Sequence, residues 1–268
     1  MPASNYGYES LNVESSGPAH GDPLLVLHGW GSSAALMQPL AHALAGTRRI
    51  YNTDLPGHGH SPPPPEPWGV PEHAALVQQL IDKRVRPETG QAAATVIGHS
   101  NGGRIALYMA STPEHTDCIA RLVLISPSGI APERSLSTRM KSGLAKTLKA
   151  PFEHLPPMLR SPALDWLRHS LVWRALGSAD YNALDGVMRE TFVRTVNHHL
   201  DGPVHRIDVP TLLVWGENDT AVSRRQMETL EAAIPDSGLV VLEDAGHYGH
   251  LDAPDTVIAA TRHFLEHA

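Results

Sequence analysis

One cysteine, Cys118, is all the thiol chemistry that 268 residues carry. That excludes an internal disulfide framework and any cysteine-rich zinc site. Basic residues are also short: 21 Lys and Arg against 28 Asp and Glu leave 21 − 28 = −7 with histidine neutral. Such a balance argues against non-specific nucleic-acid binding, which needs a basic surface. No apolar run approaches the ~18 residues that span a bilayer, so stable membrane insertion is not expected. Met1 to Ser10 lacks a basic stretch followed by an apolar one, so no secretory signal is read there. The expectation is a soluble cytoplasmic protein, long enough to bury roughly 70–75% of its unfolded surface without a metal or disulfide staple. What the chain does have in quantity is histidine, 17 in all, so its charge varies between pH 5 and 8.

Short apolar runs alternate with longer helical ones. Leu24–Leu27, Ile50–Leu55, Ala93–Ile97, Leu122–Ile125, Leu212–Trp215 and Leu239–Leu242 read as strands. Ala34–Ala45, Glu72–Arg84, Arg104–Ala110, Arg224–Ala233 and Pro254–Leu265 read as helices, with Pro254 suited to a first turn. Aliphatic runs without polar alternation suit strands covered on both faces. The fold class is therefore α/β, a mostly parallel sheet between helices. From about Ala131 to Val204 the rhythm fails, and amphipathic stretches are broken by Pro151, Pro156, Pro157 and Pro162. Residues 131–204 read as a helical insertion into a core made of 1–130 and 205–268. It follows the strand Leu122–Ile125, which puts it over the strands' carboxyl ends, where open α/β sheets bind ligands. Pro62–Pro65 with Pro67 reads as a stiff extended spacer.

Gly98-His99-Ser100-Asn101-Gly102 follows one strand and precedes a helix, the context of a nucleophile elbow. Side chains two residues either side of a serine on so sharp a turn would collide, hence Gly98 and Gly102; Gly103 lets the helix approach the sheet. The helix N-terminus adds a partial positive charge where an oxyanion would form. A serine hydroxyl is a weak nucleophile until a base takes its proton, and that base needs an orienting acid. Leu212–Trp215 runs into Gly216-Glu217-Asn218-Asp219, and Leu239–Leu242 into Glu243-Asp244-Ala245-Gly246-His247. Asp219 and His247 thus sit on loops at strand carboxyl ends, in the order Ser, Asp, His. Taken singly, Asp219 also suits a turn or helix cap, and His247 a loop histidine.

These motifs resemble the α/β-hydrolase superfamily over roughly Leu24–Gly129 and Pro210–Leu265, and the insertion is similar to its cap domains. His28-Gly29-Trp30-Gly31 resembles the HG-x-G oxyanion turn, and Asp54-Leu55-Pro56-Gly57-His58-Gly59-His60-Ser61 the D-x-P-G-x-G-x-S loop. The resemblance implies catalytic Ser100, Asp219 and His247, with backbone N–H groups of Trp30 and Asn101 as the oxyanion hole. It makes His28 a structural tie between loops, and gives Asp252, where the families often have Glu, no catalytic consequence. A serine at the elbow disfavours dehalogenases and epoxide hydrolases of this fold, which use aspartate. Asn101 stands where an apolar residue is common, either as a polar pocket floor or turned into the protein.

Other features compete for function. His58-x-His60, His247-x-x-His250 and His263-x3-His267 have ligand-like spacing, but without a carboxylate or cysteine cluster no metal is expected, and no cofactor. Arg134, Arg139, Lys141, Lys146 and Lys149 fall within a stretch lacking Asp and Glu. It reads as a solvated helix face, or as a docking surface for an acidic carrier protein or anionic substrate. Trp166, Trp173, Tyr181 and Phe192 suit cap core or a pocket wall. The reading is a serine hydrolase of a small or medium carboxylic ester acting through an acyl-enzyme on Ser100. Carbon–carbon bond hydrolysis, lactone or carrier-protein methyl ester hydrolysis, and acyl transfer use the same triad. A non-catalytic ligand-binding protein on the same scaffold is the alternative of another class.

Overall fold

The computed structural model describes residues 6–132, 184 and 186–268. Seven strands form one sheet: β1 Val13–Ser16, β2 Asp22–Leu27, β3 Arg48–Thr53, β4 Ala94–His99, β5 Ile119–Ile125, β6 Thr211–Gly216 and β7 Ser237–Leu242. Their order is β1-β3-β2-β4-β5-β6-β7, with β1 antiparallel to β3 and every other pair parallel. The described helices are α1 Ala34–Leu44, α2 Val70–Leu80, α3 Arg86–Thr89, α4 Asn101–Ser111, α5 Gly186–Val196, α6 Arg224–Ala233, α7 Gly249–Asp252 and α8 Pro254–His267. A π-helical turn, Ile81–Val85, joins α2 to α3.

Successive residues of a strand point to opposite faces, and here both faces are apolar. Leu25, Leu27, Val96, Leu122, Leu124 and Leu213 bury against α2, α4 and α6. Leu24, Val26, Ile97, Val123, Ile125 and Val214 bury on the other side against α1 and α8. That is why the strands read as unbroken aliphatic runs. The strand β1, Val-Glu-Ser-Ser, has one apolar residue and was not foreseen; it pairs on one side only, with β3. The carboxyl ends of β2, β4, β6 and β7 carry the turns holding His28, Ser100, Asp219 and His247. The cap expected over 131–204 lies for the most part outside the described residues; α5 falls within that range.

Candidate active site

Ser100 closes the turn between β4 and α4 at φ 49° and ψ −107°, a left-side backbone conformation that a non-glycine residue adopts only under constraint. The constraint is visible. The Ser100 N–H donates to the Ile125 carbonyl at 3.0 Å, and its own carbonyl accepts from Arg104 and Ser128 N–H, each at 3.0 Å. A Cβ at Gly98 would come 2.6 Å from the Gly103 nitrogen, and one at Gly102 would collide with the Leu27 carbonyl. A Cβ at Gly103 would come 2.7 Å from Pro127 of the loop after β5 and 3.2 Å from the Gly98 carbonyl of β4, so the close approach it permits is to that loop as well as to the sheet.

Asp219 lies three residues past β6, its side chain fully buried. One carboxylate oxygen, Oδ1, accepts the N–H groups of Ala221 and Val222 at 2.7 and 2.9 Å. The other, Oδ2, is 2.9 Å from His247 Nδ1. Burial pushes its pKa up, but the bonds from His247 and the two N–H groups outweigh that and hold it below the usual carboxylate range. A carboxylate only accepts, so His247 carries its proton on Nδ1 and leaves Nε2 bare. Behind it, Asp252 Oδ2 accepts the Gly246 N–H at 2.8 Å, pinning the loop that carries the imidazole. Between Ser100 Oγ and His247 no hydrogen bond is formed among the described residues.

The His28-Gly29-Trp30-Gly31 turn passes directly beside the serine: a Cβ on Gly29 would lie 3.2 Å from that of Ser100. His28 holds this turn to the 54–61 loop. Its Nδ1 donates to the Gly29 carbonyl at 2.7 Å and its Nε2 accepts the Leu55 N–H at 2.9 Å. Burial lowers its pKa to about 4, so the ring is a neutral tie, as the sequence suggested. Asp54 anchors the same loop to the start of α1. Its carboxylate accepts from the Ala34 N–H at 2.6 Å, Asn12 Nδ2 at 2.8 Å and the His60 N–H at 2.9 Å. Neither the Trp30 nor the Asn101 N–H has a protein acceptor among the described residues. Asn101 is the first residue of α4, where an N–H has no partner inside the helix.

The helix α5 covers this corner. Phe192 packs on Trp30 at 5.1 Å between ring centres, and Trp30 meets His58 edge-on at 4.9 Å. Met188 sits over Gly57. Thr191 Oγ1 accepts the buried Trp68 N–H at 3.0 Å, and Arg104 of α4 donates to the Thr195 carbonyl. Of the aromatics singled out in the insertion, Trp166, Trp173 and Tyr181 lie outside the described residues, as do Arg134, Arg139, Lys141, Lys146 and Lys149. Two surface hollows of about 420 and 470 Å³ lie against α8 at the amino ends of the strands, remote from Ser100.

Two residues that sequence reasoning gave no role take part in this geometry. His99 Nε2 donates to the His247 carbonyl at 3.0 Å, and Asp252 braces the same loop. His99 had no signal in sequence, and Asp252 only its place in the family resemblance, because their partners are fixed by which loops meet. Among the described residues no three His, Cys, Asp or Glu side chains gather as metal ligands.

The sequence profile of the family described as "alpha/beta hydrolase fold" matches residues 22–254. The pimeloyl-[acyl-carrier protein] methyl ester esterase of Neisseria meningitidis serogroup C is 29% identical over 254 residues, covering 90% of this chain and 92% of that relative. The esterase of the same name from Aeromonas hydrophila is 29% identical over 276 residues, covering 96% and 99%. Among solved structures, a hydrolase from Pseudomonas aeruginosa superposes with a TM-score of 0.70 at 24% identity, covering 95% of this chain and 94% of that one. The enol-lactonase from Burkholderia xenovorans gives 0.69 at 22%, with 96% of each chain covered. At these identities the structural likeness speaks to the fold alone.

Proposed function

The chain belongs to the α/β-hydrolase fold family, and on that premise we propose that it is a serine hydrolase cleaving a carboxylic ester through an acyl-enzyme on Ser100. The observation that carries this reading is the His247–Asp219 bond of 2.9 Å on loops beside a strained elbow serine. In the reaction His247 Nε2 takes the Ser100 hydroxyl proton while Oγ attacks the ester carbonyl carbon. The oxyanion that forms is held by the Trp30 and Asn101 N–H groups, whose lack of an acceptor among the described residues supports the assignment. As the ester C–O bond breaks, the imidazolium returns the proton to the departing alcohol. A water then gives a proton to His247 and attacks the acyl-enzyme, and that proton passes to Ser100 Oγ as the acid leaves. Asp219 holds the tautomer and stabilises the imidazolium throughout.

A fluorophosphonate probe tests the assignment without knowledge of the substrate. Wild type should be labelled and Ser100→Ala should not; a correctly folded wild type that resists the probe would favour a ligand-binding protein. The acyl group is then sized with p-nitrophenyl esters of graded chain length.

A second, finer reading follows from the two relatives named as esterases of a carrier-protein methyl ester. The substrate is then a methyl ester on an acyl chain held by an acidic carrier. The insertion 131–204 then writes the specificity, and its basic stretch Arg134–Lys149 supplies charge of the sign that attracts an acidic carrier. Hydrolysis of the carrier-bound methyl ester should exceed that of the free one and weaken with salt; equal, salt-independent rates would refute it.

A further inference from the structure

The proposed nucleophile and base arrive on loops far apart in sequence, and no hydrogen bond between them holds one to the other. Something else must set their distance. His99 ends β4, immediately before Ser100, and is 1% exposed. Its ring meets His247, Tyr248 and His250 at 4.9, 5.1 and 4.8 Å between ring centres. Three of the four residues of the base loop from 247 to 250 therefore lean on this one imidazole. Its Nε2 lies 3.0 Å from the His247 carbonyl oxygen. Its Nδ1 is buried with no hydrogen-bond partner among the described residues, against Gly29 of the turn beside Ser100, where a Cβ would come within 2.8 Å.

That geometry fixes the tautomer. A carbonyl only accepts, so the proton sits on Nε2. A proton on Nδ1 would be a buried donor without an acceptor among the described residues, which is unfavourable. We propose that His99, by donating from Nε2 to the His247 carbonyl, is a positioning residue that fixes the base loop to the strand bearing the nucleophile. The proposal rests on the triad reading above. His99 is enclosed beneath the elbow and touches the base loop, so its effect falls on the chemical step and leaves substrate binding alone. One such bond contributes only modestly to folding, whereas a displacement of 1 Å in a reacting group costs on the order of 10²-fold in rate. The activity loss should therefore far exceed any stability loss.

The test compares His99→Gln, whose side-chain amide can still donate from Nε2, with His99→Leu, which cannot. With the fluorophosphonate probe, the glutamine variant should be labelled within about fivefold of wild type and the leucine variant roughly 30- to 100-fold more slowly. On a p-nitrophenyl ester the leucine variant should lose that factor in kcat with KM unchanged. Equal rates for the two variants, or a loss confined to KM, would overturn the proposal. If the leucine variant does not fold, nitrogen-15 NMR of wild-type histidines decides: the proton of His99 must be on Nε2, and a proton on Nδ1 refutes the bond. A wild type that the probe does not label sinks the triad reading, and with it the role of His99, while the NMR result still reports the bond itself.

Discussion

Removing Ser100 or His247 alone should cost on the order of 10⁴-fold or more in turnover, because neither group works without the other. Ser100→Ala and His247→Ala should be similarly inactive, and the double variant scarcely worse; additive losses in steady-state kinetics would refute a shared mechanism. Asp219→Asn leaves the shape intact but lets the amide donate to Nδ1, moving the imidazole proton to Nε2 and disabling the base. Turnover should fall by roughly 10⁴-fold with KM nearly unchanged. His250→Ala should cost far less than His247→Ala, although His250 is buried and neither ring nitrogen has a hydrogen-bond partner among the described residues. Should it prove as damaging in a folded protein, the base has been misassigned. The loops of Ser100, Asp219 and His247 stand out in sequence because each follows a strand, and a strand's carboxyl end is where a parallel sheet gathers its loops. His99 does not stand out. Its spacing from Ser100 is trivial, and its partner, 148 positions away, is set by the sheet order that places β4 three strands from β7.

At the scale of elements, the strands buried on both faces announce themselves, since each needs an aliphatic residue at every position. The polar edge strand β1 does not, because one pairing neighbour and a half-solvated setting demand little of its side chains. The elbow is equally legible and equally intolerant. Gly98→Ala sets a Cβ 2.6 Å from the Gly103 nitrogen, backbone that a rotamer change cannot move. The variant should fail to fold or lose probe labelling; a stable, fully labelled Gly98→Ala protein would show that the elbow yields. The helix α5 makes a finer case. Thr191→Val keeps the shape of a fully buried side chain but removes the acceptor of the Trp68 N–H. An unmet buried donor costs about 1–3 kcal/mol, which for a domain near this size lowers Tm by about 2–4 °C per kcal/mol. Thermal unfolding should show that loss; an unchanged Tm would mean that water reaches Trp68 and that α5 sits less tightly over Trp30.

Across the whole molecule, the abundance of histidine has its main consequence in acid. Burial lowers the pKa of His28, His73 and His250 to about 4, and that of His99 to about 3. All four are 2% exposed or less. Their folded pKa values lie below the unfolded value of about 6.5, so the unfolded chain binds more protons as pH falls. The stability they allow is complete above about pH 6.5 and is lost as pH falls through the window down to about pH 4. Within that window each group contributes a slope approaching 1.4 kcal/mol per pH unit. Four such slopes together amount to several kcal/mol per unit, against a typical total stability of about 5–15 kcal/mol. Asp54 and Asp219 hold their carboxyls below the ordinary range, against the effect of burial and through their hydrogen bonds, and so add a further loss below about pH 4. Whole-molecule repulsion is not the cause, since protonation first carries the net charge of −7 toward zero. Urea unfolding at stepped pH should therefore show full stability at pH 7.5 and an acid midpoint near pH 5, well above carboxylate titration. His73, on α2 and hydrogen-bonded at 2.7 Å to the Gly69 carbonyl, is the member to remove, because it lies apart from the proposed triad. His73→Leu should flatten the slope between pH 6 and 5 by nearly one proton, about 1.4 kcal/mol per unit, whatever its effect on stability at neutral pH. If wild type and variant show the same slope, the buried histidines take up protons in the folded state, and the neutral rings that tie the loops together are not neutral.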